Sequence, residues 1–244
     1  MKWSLIFCLI SCTALLAQTP DALAILKKVD ENMSSENRIF VSKMVIESRR
    51  GSREIRAKSY VRGTDQAFTE YLSPSREKGV KMLKLGDELW NYSPKSDRTI
   101  RIAGHMLRQS LMGSDLSYDD MMENPILHHI YDAFYLGEEE IIRQRCTILE
   151  LKAKKADVNY QKRKIWVDTE HNLVLKEERY AASGKLLKST EVLEIMQTED
   201  RWIPKITHFK DELQNQNKGT TFIIEELQFN ADIPDYIFTK AALK

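Results

Sequence analysis

From residue 54 to residue 62 the chain alternates in a strict period of two. Ile55, Ala57, Ser59 and Val61 fall on one side, and Glu54, Arg56, Lys58 and Arg62 on the other. That period predicts a strand with one face against a core or cavity and the other toward water. Ile55, Ala57 and Val61 are expected to point inward, Arg56 and Lys58 outward. Similar runs follow at about 66–73, 79–85, 87–93 and 98–102, joined by turns such as Leu85-Gly86-Asp87 and Ser93-Pro94-Lys95-Ser96-Asp97. A second series covers about 130–137, 145–153, 161–168, 172–181, 186–197, 201–210 and 219–229. Connections this short exclude parallel crossovers, so about eleven to thirteen strands in meander order predict one large curved antiparallel sheet or barrel.

Two stretches break the alternation. Thr19-Pro20-Asp21 offers a helix cap, a proline at the first helical position and an early acid, and Ala22, Ile25, Leu26, Val29 and Met33 then recur at helical spacing. Residues 104–124 form an insertion that carries Met106, Met112, Met121 and Met122, four of the nine methionines. Within it, Ser117 is placed to cap a short helix that Asn124-Pro125 ends. Two short helices separated by Gly113-Ser114 are expected to lie over the sheet. With no linker, low-complexity tract or repeat, residues 18–244 read as a single domain.

Composition narrows the class. Of 244 residues 30% are charged and 42% hydrophobic, a balance that suits a folded domain, and the net charge of +1 supplies no field for nucleic acid. The long apolar run near the start, Leu5 to Ala17 behind Lys2, reads as a secretory signal peptide over residues 1–17. A competing reading takes Leu9-Ile10-Ser11-Cys12 as a lipobox that would leave a lipid anchor at Cys12. Cleavage after Ala17 leaves Cys146 alone, without a disulfide partner, in the strand-like setting of a small buried hydrophobe.

Catalytic signatures are missing: there is no nucleophile elbow, phosphate-binding glycine loop or His-Glu-x-x-His motif. No cofactor or metal is implied, and no enzymatic activity. His128 and His129 are read as strand neighbours pointing to opposite faces, ordinary histidines rather than metal ligands. Asp115, Asp119, Asp120 and Glu123 lack the calcium-loop spacing and read as acids near a helix N-terminus. Lys162-Arg163-Lys164 reads as a solvated strand face. The positive signal is apolar. Met82, Leu83, Leu85, Leu89, Trp90, Tyr92, Ile100 and Ile102 come from consecutive strands just before the methionine-rich insertion. They fill a barrel core or, beneath an adaptable methionine flap, admit an acyl chain.

Several segments resemble the bacterial outer-membrane lipoprotein-sorting (LolA-like) family. Gly79-Val80-Lys81-Met82-Leu83, Gly86-Asp87-Glu88-Leu89-Trp90-Asn91-Tyr92-Ser93-Pro94 and Arg98-Thr99-Ile100-Arg101-Ile102 are similar to its central strands. Residues Met112 to Asp120 resemble its lid, Ile165-Trp166-Val167-Asp168 with Gly184-Lys185-Leu186 a later hairpin, and Ile233 to Thr239 its C-terminal end. The resemblance implies a mainly β fold: an incomplete, strongly curved antiparallel β-barrel, or half-barrel, with an N-terminal helix and a helical lid over the concave face. It also implies a periplasmic, monomeric carrier. Such a carrier takes up acyl chains of lipoproteins or other lipids and passes them between an inner-membrane transporter and an outer-membrane acceptor. An RseB-like sensor or adaptor acting on a membrane protein is the alternative. The expected lipid-binding residues are Ile55, Ala57, Val61, Met82, Leu83, Trp90, Tyr92, Ile100, Ile102, Met106, Met112, Met121 and Met122.

Overall fold

The alternating segments become thirteen strands in a computed structural model that describes residues 19–49, 51–199, 201–214 and 217–244. The signal-peptide reading of residues 1–17, with Cys8 and Cys12, lies outside the described residues. The first series is β1 (Asn37–Ser48), β2 (Gly51–Arg62), β3 (Gln66–Ser73), β4 (Lys81–Leu85), β5 (Glu88–Ser93) and β6 (Arg98–Ile102). The second is β7 (Tyr131–Ile141), β8 (Gln144–Ala153), β9 (Lys162–Asp168), β10 (Leu173–Tyr180), β11 (Leu186–Thr198), β12 (Arg201–Asp211) and β13 (Asn217–Phe229).

All thirteen form one antiparallel sheet in the order β6-β5-β4-β3-β2-β1-β13-β12-β11-β10-β9-β8-β7. The two hairpin series are two meanders sewn together by β1 and β13, whose register runs from Arg38 opposite Phe229 to Ser48 opposite Asn217. The sheet does not close, so β6 and β7 are its two edges. One consequence bears directly on the insertion. Chain leaving β6 has to travel from one edge to the other before β7 begins, and residues 103–130 do so across a face of the sheet. A crossing segment is not itself a strand, which is why the period of two fails there.

We term the face covered by this crossing and by helix α1 (Ala22–Met33) the inner face. Under the crossing, Met44, Ile55, Met82, Leu89 and Ile102 form one buried cluster; under α1, Leu26 and Val29 pack on Tyr131, Leu149, Leu151, Ile165 and Val167. The outer face is covered over β3 and β4 by two C-terminal 3-10 turns, Asp235–Phe238 and Lys240–Leu243. There Phe238 and Leu243 meet Phe68 and Leu83, and a further cluster gathers Cys146, Trp166, Leu173, Leu175 and Val192. Each fully buried leucine contributes roughly 2 kcal/mol of transfer free energy. The Cys146 thiol is wholly buried, and burial followed by the field of Asp168 pushes it up to about 11, as suits a small hydrophobe.

Two local expectations are corrected. The cap of α1 is Asp21, whose carboxylate accepts from the Leu23 and Ala24 N–H groups at 3.0 and 3.1 Å. Thr19 and Pro20 precede it, because a carboxylate satisfies orphan N–H groups and the helix dipole together. His128 and His129 lie in a short helix, α3 (Leu127–Ile130), rather than a strand. Asp30 of α1 accepts from the Leu127 and His128 N–H groups, and its carboxylate lies 2.7 Å from His128 Nδ1, holding α3 against α1.

Gly219 illustrates how tightly β13 packs on β12. At φ +114° it occupies a backbone region disfavoured for other residues, and a Cβ there would stand 2.2 Å from His208 Nε2 of the neighbouring β12.

Candidate functional site

A cavity of about 340 Å³ opens on the inner face between the crossing segment and the sheet. Its floor is the inward parity of β1, β2 and β3, including Phe40, Met44, Ile55, Ala57, Val61 and Tyr71; Leu111, Leu116 and Met121 form its roof, and Phe222 of β13 a wall. A second cavity of about 190 Å³ shares Arg38, Phe40 and Phe222 with the first and continues past Ile203, Ile224 and Phe229. Together they match the size of ordinary ligand clefts, about 300–1,000 Å³. Two hydroxyls on this floor satisfy each other: Ser59 Oγ and Thr69 Oγ1 lie 2.9 Å apart. Such a pair presents little unsatisfied polarity to the cavity.

The sequence-derived residues divide in an instructive way. Ile55, Ala57, Val61 and Met121 line the cavity. Met82 and Ile102 lie buried in the cluster beneath it, Met82 Sδ accepting from the Tyr71 hydroxyl at 3.4 Å, and Met106, Met112 and Met122 pack onto that cluster from above. Ile100 stands on the same parity but on edge strand β6, where it is 44% exposed. Leu83, Trp90 and Tyr92 are placed on the outer face, packed with the C-terminal turns, and Lys240 Nζ sits 3.9 Å from the Trp90 ring centroid. Met82 and Leu83 are adjacent, and neighbours on a strand point to opposite faces, so an unbroken apolar run cannot all face one cavity. Arg56 is exposed as expected, while Lys58 is half-buried, its ammonium 5.3 Å from the Tyr60 ring centroid.

Phe40, Met44, Tyr71 and Phe222 were not anticipated. A signal for two of them exists, because Phe40, Ser42, Met44 and Ile46 alternate as cleanly as the residues of β2. Phe222 enters only through the pairing of β1 with β13, which sets it opposite Met44.

The crossing segment covers the cavity like a lid, and its fastenings are polar. Met112 and Gly113 turn at φ 52° and 73°, and the Arg53 guanidinium donates to the Met112 carbonyl. Buried Asp115 accepts from Thr220 Oγ1 at 2.7 Å and from the Asp211 N–H at 3.1 Å, tying the lid to β13 and the end of β12. Helix α2 (Tyr118–Met122) starts at Ser117 with a reciprocal capping box to Asp120.

The acids of α2 do more than complement a helix dipole. Asp120 also accepts from Tyr160 at 2.7 Å, from Arg179 at 3.1 Å and from Lys188. Glu123 meets Arg163 at 2.8 Å; Arg163 meets Glu177 at 2.8 Å and the Tyr131 hydroxyl at 2.8 Å; Arg179 meets Glu177 at 2.9 Å. Arg163 is therefore buried, not part of a solvated face, because its strand parity differs from that of Lys162 and Lys164 and turns it inward. Three carboxylates thus face three cations beside the cavity. Burial pushes the Asp120 carboxyl up, but Lys188 and Arg179 outweigh it and hold it at about 2. Glu177 is likewise held at about 2 by Arg179 and Arg163 against burial, and burial with Asp120 drives the Tyr160 phenol well above its ordinary value. Such groups keep one charge state across the physiological range, which suits a latch rather than proton transfer.

Solved structures share this architecture, among them the following three. A DUF1329 family protein from Desulfovibrio piger superposes with a TM-score of 0.83 at 22% identity, covering 91% of this chain and 98% of that one. A domain assigned to an outer membrane lipoprotein-sorting protein from Vibrio parahaemolyticus gives 0.78 at 23% identity, covering 91% and 97%. A LolA superfamily protein from Nitrosomonas europaea gives 0.75 at 24% identity, covering 93% and 100%. No curated protein matches the sequence. One sequence family, described as "Uncharacterized protein", matches residues 63–244. The open thirteen-stranded sheet with its covered inner face is thus the fold that these structures share, and the chain belongs to the family that matches residues 63–244.

Proposed function

We propose that this protein is a periplasmic carrier that shelters the acyl chains of lipoproteins or other lipids in its inner-face cavity and delivers them toward the outer membrane. The observation that carries the reading is an apolar cavity under a separate helical lid whose fastenings are ion pairs and hydrogen bonds. A cavity filled by its own core would need no such latch. The fold shared with the LolA superfamily protein and the lipoprotein-sorting domain supports the same reading, as does the apolar N-terminal segment expected to direct export.

The energetics suit reversible carriage. Each buried methylene is worth roughly 0.8 kcal/mol, so one long acyl chain offers on the order of 10 kcal/mol before ordering costs. Opening the latch and displacing Leu111, Leu116 and Met121 from the cavity mouth subtract from that gain. Cargo then binds firmly without being trapped. Function on this reading is noncovalent, and the acids of α2 beside the cavity fasten the lid.

Native mass spectrometry with lipid extraction, on protein purified from its own host without detergent, tests the proposal. A stoichiometric acylated ligand is expected. A protein that is empty and also refuses added phospholipid and lipopeptide overturns the carrier reading and turns attention to an adaptor role.

A further inference from the structure

The inner face carries two cations that stand outside the ion pairs of the latch. Arg38 of β1 lies opposite Val61 of β2, Val61 opposite Ala67 of β3, and Ala67 opposite Lys84 of β4. All four line the cavity. Arg38 and Lys84 therefore stand at the two ends of one cross-strand row, three strand spacings or about 14 Å apart at the backbone, with a small apolar floor between them.

Neither has a carboxylate within ion-pair distance among the described residues. The Arg38 guanidinium donates to the Met33 carbonyl at the end of α1 at 3.3 Å, and Lys84 Nζ donates to the Thr64 and Met122 carbonyls at 3.1 and 3.4 Å. The nearby acids are otherwise engaged. Asp120 and Glu123, which also line the cavity, are matched by Arg163, Arg179 and Lys188. Asp30, beside Arg38, holds α3. Asp65 and Asp87 act on Lys84 only through their fields. Desolvation lowers the pKa of both cations, the mark of positive charge left under-compensated at a partly buried site. Arg38 also stands where the two cavities join, and Lys84 bonds the end of α2, so a lid that swings away removes one of the two bonds of the ammonium.

We propose that the cavity selects amphiphiles with an anionic head, a carboxylate or phosphate held between Arg38 and Lys84 while the acyl part lies over Val61 and Ala67 toward Met44 and Phe222. This rests on the carrier reading and names the class of cargo. An anion supplies the counter-charge that the row lacks, and charge-assisted bonds in a partly dry site are strong enough to discriminate against a neutral head.

The test measures binding of cis-parinaric acid and of its methyl ester, by fluorescence below their aggregation limits at pH 8, to the full chain and to an R38Q/K84Q double variant. The wild-type protein is expected to bind the acid about tenfold or more tighter than the ester. In the double variant, checked for a wild-type melting profile, that ratio should fall to about one. Equal binding of acid and ester by the wild-type protein overturns the head-group proposal while leaving the carrier reading standing. A preference that survives in the double variant overturns the assignment to Arg38 and Lys84. Displacement of the acid by millimolar inorganic phosphate alone shows a free-anion site and overturns the amphiphile proposal. Failure to bind either probe overturns the carrier reading itself.

Discussion

Replacing Asp120 by asparagine keeps the shape of the side chain and removes the charge on which the lid is fastened. Its carboxylate accepts from Tyr160, Arg179, Lys188 and both the N–H and hydroxyl of Ser117. Removing one partner from a buried ion pair costs about 3–5 kcal/mol. Arg179 retains Glu177 and Glu123, so the lower end applies, about 3 kcal/mol. That penalty falls on the closed lid, because an open lid has already given up these contacts. At about 1.4 kcal/mol per tenfold, the open population should rise roughly a hundredfold. Hydrogen exchange reads this directly. The amides of Leu111, Tyr118 and Glu123, which bond to Leu116, Gln109 and Asp119 within the lid, should exchange about a hundredfold faster, while those between β8 and β9 hold their rates. Unchanged lid amides would refute the latch. So would an equal acceleration throughout the sheet, since the ion pairs would then support the whole fold and not the lid.

Other expectations follow from the same geometry. Ala57→Asp places a charge on the cavity floor and should abolish acyl uptake or folding, whereas Lys58→Asp, on the other parity, should cost less than about 1 kcal/mol; equal tolerance in a lipid-binding assay would reverse the orientation of β2. Leu83→Ala should lower stability by about 3 kcal/mol in denaturant titration yet leave acyl affinity unchanged, because Leu83 packs on the outer face. Acid should loosen the lid: the carboxyl of Asp120 is held at about 2, below its ordinary value. The stabilisation it contributes is therefore complete above pH about 4.5 and lost as pH falls through about 2, which lid exchange rates between pH 7 and pH about 2 would follow.

The strand content was legible because an antiparallel strand writes its burial into a period of two, and Ile55, Ala57 and Val61 carry that period plainly enough to reveal which way β2 faces. The cap at Ser117 and the unusual lid composition were legible for the same local reason. Short apolar runs were ambiguous. In a strand as brief as Lys81–Leu85, Met82 and Leu83 are equally apolar, and nothing local says that one meets the lid and the other the C-terminal turns. Arg163 misled in the opposite direction, because three consecutive cations look solvated until the carboxylates that meet the middle one are known.

The sequence by itself determined the class of the molecule: a largely antiparallel β chain with an opening amphipathic helix and one methionine-rich interruption. Those features depend on neighbours within a few residues, where periodicity, caps and turns act. Only the tertiary structure decided that β1 and β13 join the two meanders, that the interruption crosses the inner face from edge to edge, and that its Asp120 and Glu123 meet Arg163, Arg179 and Lys188. Those depend on which strand lies beside which, and pairing is set by the burial and electrostatic energy of the whole assembled sheet, to which no local pattern has access.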